Sequence, residues 1–248
     1  MFKKLILLCI GSLLIIQGVL AQTDGQYHYL VDLTKVDDDK LFVELKVPTI
    51  TSTEITFYLP KIIPGTYSIE DYGRFVSDFT ALDKKGKKLS VEKINDNTWR
   101  IKNANKLAKI TYWVEDTFDT KLKGPDIFWP AGTNIEAGKD FIINAAGFFG
   151  YFEGMKKMPF EFNIIRPNDF YGSTGLIPQQ TGKPLNEITF EKIKADNNKR
   201  VDVYKAEDYD QLVDSPVMYA QPDTAVIKVA NAEVLIGCYS PNKQVNAK

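Results

Sequence analysis

The sequence predicts a mainly β protein, an antiparallel β-sandwich with short helical turns. Three observations carry that expectation. Apolar side chains recur at every second position rather than at helical spacing, as in Tyr27, Tyr29, Val31 and Leu33 and again in Leu41, Val43, Leu45 and Val47. The alternating runs are short. Clusters of turn residues, Gly, Pro, Asn and Asp, separate them at frequent intervals.

The chain opens on Met1-Phe2-Lys3-Lys4, followed by the apolar run "LILLCIGSLLII" over 5–16 and by Gly18-Val19-Leu20-Ala21. A basic start, a short apolar stretch and small residues at a cleavage site are the layout of a secretory signal peptide. Cleavage is expected after Ala21, in a secreted or periplasmic protein. The apolar run falls short of the ~20 residues a spanning helix needs, so no membrane association is expected after cleavage.

Residues 27–33 and 41–47 read as a hairpin about the polar stretch 34–40. A strand over 55–59 ends at Pro60, and a strand over 75–82 ends in the turn "DKKGKK". Residues 89–94, 98–101 and 109–114 follow as short strands. The Gly- and Pro-rich stretch 124–140 is irregular, and 142–154 has room for a helical turn. Alternation resumes at Phe160, Phe162 and Ile164. Residues 172–184 read as a loop, and 188–193 and 200–204 as weak strands. Asp208 can cap a helical turn over 207–212, which Pro216 prevents from continuing. Residues 224–229 and 233–239 close as a hairpin about Ala230-Asn231. The expected organisation is a signal peptide over 1–21, one β-sandwich domain over 22–240 and a linker or tail over 241–248.

Composition excludes several classes. Lys and Arg number 31 against 32 Asp and Glu, so no basic surplus exists to neutralise phosphates and no nucleic-acid partner is expected. The one histidine, His28, cannot form the paired-histidine zinc motif, and it lies between Tyr27 and Tyr29 as an outward-facing strand residue. Loss of Cys9 with the signal leaves Cys238 alone, without an intramolecular disulfide partner; after the run "VLIG" it reads as a buried structural thiol. Asp37-Asp38-Asp39 lacks calcium-loop spacing and reads as a solvated hairpin tip.

Two stretches are candidates for function. Phe148, Phe149, Tyr151 and Phe152 cannot all face one core from a strand, so some are expected on a surface. Phe128 and Trp129, flanked by Pro125 and Pro130, suit a docking edge or a sugar platform. In "YLPKIIPGTYSIEDYGR" (58–74), Pro64-Gly65 favours a type II turn. The tyrosines and Arg74 that follow read either as a corner held by hydroxyls or as a rim of ligand- or partner-facing groups.

This stretch resembles the N-terminal domain of the glycyl-aminopeptidase-type zinc metallopeptidases, which often carry a PDZ domain. The family pattern is matched by Leu59-Pro60, Pro64-Gly65-Thr66-Tyr67, Asp71-Tyr72, Arg74, and Ala81, Asp83 and Gly86. "NTWRI" (97–101) and "DYDQLVDSP" (208–216) match further on. Ile62 replaces the usual tryptophan, and Thr66 replaces serine while keeping a hydroxyl. The family's zinc-binding HExxH lies in a helical domain after the β domain, and this chain contains none. The resemblance therefore implies a non-catalytic β domain without cofactor, with zinc confined to the following domain. It implies packing beside that catalytic domain, in cis or in trans, and shaping the access of a peptide substrate. Tyr67, Tyr72, Arg74, Tyr209 and Asp214 are the expected interdomain or ligand-facing residues. The alternative is a glycan- or peptide-binding module whose platform is Phe128, Trp129, Phe149 and Tyr151.

Overall fold

The computed structural model describes residues 25–184, 196–242 and 244, and within them the chain is mainly β. The signal peptide, its cleavage after Ala21 and the strand expected over 188–193 lie outside the described residues.

Strands β1 (Tyr27–Asp37) and β2 (Lys40–Lys46) form the first hairpin. It is longer and tighter than the polar stretch 34–40 suggests. Asp38 and Asp39, at φ 48° and 55°, make the whole connection, in the left-handed turn that aspartate tolerates and that matches strand twist. β3 (Glu54–Tyr58) follows, then a 3₁₀ turn at Tyr72–Phe75 and β4 (Val76–Asp83). The "DKKGKK" turn closes on Asp83, whose Oδ1 accepts from the backbone N–H groups of Lys85 and Lys87. β5 (Val91–Asn95), β6 (Thr98–Lys102) and β7 (Leu107–Glu115) come next. Beyond them lie β8 (Asn134–Glu136), β9 (Asp140–Ile143), the single-turn helix α1 (Ala145–Phe148) and β10 (Tyr151–Phe152). The remaining elements are β11 (Phe160–Pro167), β12 (Tyr171–Thr174), β13 (Ile177–Pro184), β14 (Lys199–Ala206), α2 (Tyr209–Val213), β15 (Val217–Ala220), β16 (Asp223–Val229) and β17 (Ala232–Cys238).

The strands form a seven-stranded sheet in the order β13-β14-β11-β1-β2-β7-β4, two four-stranded sheets, β10-β3-β6-β5 and β12-β15-β9-β8, and the separate hairpin β16-β17. One hydrophobic cluster joins the inner face of the large sheet to both smaller sheets, α1 and α2. Tyr27, Tyr29, Val31 and Leu33 of β1 all enter it, and Tyr27 stacks on Phe160 with centroids 4.2 Å apart.

Two expectations about strands need correction. The large sheet is mixed, because β1 pairs in parallel with β11 from Tyr27↔Phe160 to Asp32↔Ile165. Parallel neighbours need a long crossover, and residues 38–159 supply it. The stretch 172–184 is no loop but part of β12 and β13. Each is the outermost strand of its sheet, where Gly and Pro are tolerated because one edge needs no ladder bonds.

His28 lies on the face opposite Tyr27 and Tyr29, as expected, but is covered there. It is only 8% exposed, in register between Glu161 of β11 and Lys46 of β2, whose long side chains flank it on a central strand. Its Nδ1 lies 3.1 Å from Glu161 Oε1, and this contact holds the Glu161 carboxyl below its usual value of 4.5. A depressed carboxylate stabilises the fold above its unfolded pKa and ceases to do so as pH falls through the folded one. Glu161→Gln is thus expected to cost about 1 kcal/mol at neutral pH. The gap between variant and wild type should close as pH drops below 4.5. Urea titrations at pH 7 and pH 3 that give equal gaps would contradict this.

The aromatic segment 148–152 resolves the spacing problem in an unforeseen way. α1 turns the chain by a helical step, and a bend follows, so Phe148, Phe149 and Phe152 all point into the core. A buried irregular segment must still satisfy its backbone groups. Tyrosines do this. Tyr112 donates to the Phe148 carbonyl at 2.5 Å, Tyr209 to Phe149 at 2.8 Å and Tyr29 to Gly150 at 2.8 Å, while the Tyr27 hydroxyl accepts from Phe152 N–H at 2.9 Å. Burial raises the pKa of all four phenols, which keeps them neutral donors.

Candidate functional site

A cleft of about 710 Å³ lies between the 59–71 loop, the β5–β6 turn, Tyr151 and α2. Its first wall follows from Pro60 and Pro64, which end β3 and forbid a longer strand. The loop closes on itself: the N–H groups of Glu70 and Asp71 both donate to the Lys61 carbonyl, at 2.9 and 3.0 Å. Gly65, at φ 90°, makes the turn expected of Pro64-Gly65. Asn97 fastens the floor, donating from Nδ2 to Asp71 Oδ1 at 2.8 Å and accepting the Gly73 N–H at 2.9 Å. A Cβ on Gly73 would stand 2.1 Å from the Asp96 carbonyl oxygen, so only glycine fits there.

The opposite wall is α2. Asp208 caps it, accepting the Gln211 N–H at 3.0 Å, and also pairs with Lys157 at 2.8 Å. Tyr209 and Leu212 point inward, while Asp210 and Asp214 stay exposed. The Tyr151 and Tyr209 rings meet at 4.5 Å, and the Lys156 ammonium lies 4.9 Å and 5.5 Å from their centroids. The cleft thus offers tyrosine ring edges, the carboxylates of Asp71, Asp96, Asp210 and Asp214, and the ammoniums of Lys61 and Lys156. These groups can hydrogen-bond and pair with a polar chain. Among the described residues no three His, Cys, Asp or Glu side chains are grouped so as to hold a metal ion.

The family model for the peptidase M61 N-terminal domain matches residues 28–221. The chain belongs to that family. No curated protein matches this chain. Among solved structures, an aminopeptidase N family protein from Idiomarina loihiensis is similar at a TM-score of 0.67 with 18% identity. That match covers 85% of this chain and 32% of the other, so the M61 domain spans about a third of that protein's length. An M1 zinc metallopeptidase from Deinococcus radiodurans gives a TM-score of 0.44 with 11% identity, over 85% of this chain and 45% of the other. The first likeness is one of fold.

The M61 domain brings together only some of the residues singled out by sequence. Tyr209, Asp214 and Tyr151 line the cleft. Tyr67 stands outside it, 96% exposed at a left-handed φ of 55°. Tyr72 is 1% exposed and does not line the cleft. It is buried in a small second cluster with Phe75, Ile127, Ala131 and Ala146, its hydroxyl 3.4 Å from the Ala131 carbonyl. Arg74 is likewise a strut: it donates to the carbonyls of Glu70 and Pro125 and lies 4.4 Å from the Phe75 ring.

The aromatic platform does not assemble. Phe149 is buried and Tyr151 belongs to the cleft, whereas Trp129 is 77% exposed and packs edge-on against Phe118 at 5.7 Å. Phe118, Asp71, Asn97 and Lys156 were not legible as site residues. Asp71 and Asn97 did fall inside matched motifs, which was the available signal. Because its ring is largely in water, Trp129→Ala is expected to change stability by less than about 0.5 kcal/mol. The same substitution should remove the solvent-exposed, red-shifted part of the tryptophan emission. A loss above about 2 kcal/mol would show that the ring is packed.

Proposed function

We propose that this M61 N-terminal domain is a non-catalytic companion that packs beside a zinc-peptidase domain and shapes peptide access to its cleft. One observation carries the reading. Stretches far apart in sequence, Leu59-Pro60 to Asp71, Asp96-Asn97 and Tyr209 to Asp214, converge on the walls and floor of a single cleft. That cleft carries groups that can hold a polar chain. The partner is a peptidase domain, in cis or in trans, that carries the zinc. The leader over 1–21 supports export to the periplasm or the exterior, with the mature chain starting at Gln22.

The test is an aminopeptidase assay with glycyl- and alanyl-p-nitroanilide and short peptides, with zinc added. The chain alone should give no turnover. Added to a separately expressed M61 peptidase domain, it should change KM for peptides more than kcat. Chelator-sensitive turnover by the pure chain, or a peptidase indifferent to its presence, would remove the proposal.

A second reading rests on Trp129 and Phe118, which open onto a pocket of about 550 Å³ with Asn134 and Asp140. Such a pocket suits a glycan or a peptide side chain. Saturable binding of a defined oligosaccharide or peptide, lost in Trp129→Ala, would favour it.

A further inference from the structure

The pocket of about 550 Å³ beside Trp129 shares no lining residue with the cleft. Its walls are fastened from within the domain. Asp116, 3% exposed, accepts the Phe118 N–H at 2.6 Å and also the Ile135 N–H of β8. The Phe118 ring rests on the backbone of Gly132, where a Cβ would stand 2.5 Å from it. The segment 125–129, which carries Asp126 and Trp129, is held in the same manner. The buried Glu70 carboxylate accepts the Phe128 N–H at 3.3 Å, and the Arg74 guanidinium donates to the Pro125 carbonyl.

The side-chain polar atoms left over are nearly all of one kind. The Thr117 hydroxyl is occupied, donating to the Thr133 carbonyl at 3.0 Å and accepting its N–H at 2.8 Å. Asn134 donates from Nδ2 to Asp140 Oδ1 at 2.7 Å. That leaves Asn134 Oδ1 and Asp140 Oδ2 without a partner among the described residues. Asp126 has neither a hydrogen bond nor an ion pair among them. Apart from the indole N–H of Trp129, the unpaired side-chain atoms of the pocket are therefore acceptors.

Charge and ring geometry point the same way. Asp126 and Asp140 line the pocket and no Lys or Arg does, so its negative charge is unbalanced. Lys139, whose charge reaches Asp140, is itself paired with Glu136 at 3.2 Å. Burial raises the Asp140 carboxyl above its usual value of 3.8, and Glu136 adds to the rise. A cation beside that carboxylate would offset its lost hydration. Phe118 is 43% exposed and Trp129 more so, and their planes stand at 65°. They form a corner rather than a flat platform for a sugar ring. Aromatic surfaces attract cations, and a guanidinium stacks on them while donating in a planar fork.

We propose that this pocket binds the side chain of a peptide arginine, whose guanidinium donates to Asp140, Asn134 and Asp126 and lies against Trp129. This rests on the second reading above, that the pocket holds a ligand, and names the chemical class it takes. A lysine ammonium meets the charge but lacks the fork, so it binds more weakly.

The test titrates the isotope-labelled whole chain with an acetylated, amidated Gly-Arg-Gly peptide and follows the backbone amide signals. The comparison ligands are the same peptide with citrulline or lysine in place of arginine, and a neutral xylo-oligosaccharide. The arginine peptide should bind saturably and shift signals within 117–118, 126–134 and 140–142. Citrulline keeps the shape and loses the charge, so it should bind about tenfold or more weakly. Asp126→Asn/Asp140→Asn should weaken the arginine peptide by about tenfold or more and leave citrulline unchanged. Trp129→Ala, which removes a ring outside the core, should weaken arginine binding as well. Butylguanidinium should compete with the peptide, because recognition lies in the head group. Equal affinity for arginine and citrulline, or for wild type and the double variant, overturns the proposal. So does a failure of butylguanidinium to compete. Binding of the oligosaccharide here without any response to arginine overturns it while the second reading stands. No response of these residues to any of the ligands ends both.

Discussion

Asp202→Ala is expected to destabilise the domain by about 3–5 kcal/mol, the largest effect foreseen for a single polar side chain here. Asp202 is 1% exposed on β14 and accepts from Arg166 Nε at 2.7 Å, Arg166 Nη2 at 3.2 Å, the Tyr219 hydroxyl at 2.9 Å and the Gly182 N–H at 2.6 Å. Four strands from two sheets, β11, β13, β14 and β15, are therefore fastened at one carboxylate. Removing it leaves a guanidinium that is itself buried with only the Pro167 and Asn168 carbonyls as acceptors. The double replacement Arg166→Met/Asp202→Leu should recover much of the loss, because it removes both charges and fills the space. Urea unfolding of the three variants gives the answer. A single-variant loss below about 1 kcal/mol would mean that solvent reaches the guanidinium.

Tyr209→Ala is the second large effect, at about 3–5 kcal/mol. The ring lies against Tyr151 at 4.5 Å and Phe160 at 5.7 Å, so deletion opens a cavity between α2 and the large sheet. It also removes the donor to the Phe149 carbonyl. Tyr209→Phe separates the two contributions: it keeps the ring and loses only the hydrogen bond, costing about 1–2 kcal/mol. The alanine variant should also lose cleft binding, because the wall shared with Tyr151 collapses. Equal losses in the two variants would show that the ring contributes no packing.

What could be read from the sequence was local. The cap at Asp208 and the stop at Pro216 are properties of neighbouring residues, and α2 lies where they place it. The Ala230-Asn231 hairpin was visible for the same reason. What could not be read depends on residues far apart. The β1–β11 pairing joins Tyr27 to Phe160, and no local pattern distinguishes a parallel partner from an antiparallel one. β12 and β13 look like loop because Gly and Pro report only local preference, whereas an edge position makes them tolerable. Strict alternation misplaces Phe149, because α1 interrupts the period of two. For the candidate site, Tyr209 and Asp214 were legible through a motif, but the cleft that unites them with Asp71 and Asn97 exists only once three segments have folded together.

The parallel pairing also governs the order in which the molecule can assemble. A ribosome delivers β1 about 130 residues before the strand that flanks it, so the nascent chain carries an open sheet edge throughout that interval. Closing so large a loop is entropically slow, and maturation of the whole layer waits for β11 and β14. Polypeptides interrupted before Phe160 would be left with that edge bare and would tend to aggregate, which makes the passage from synthesis to the finished sheet the stage at which this molecule depends most on chaperones.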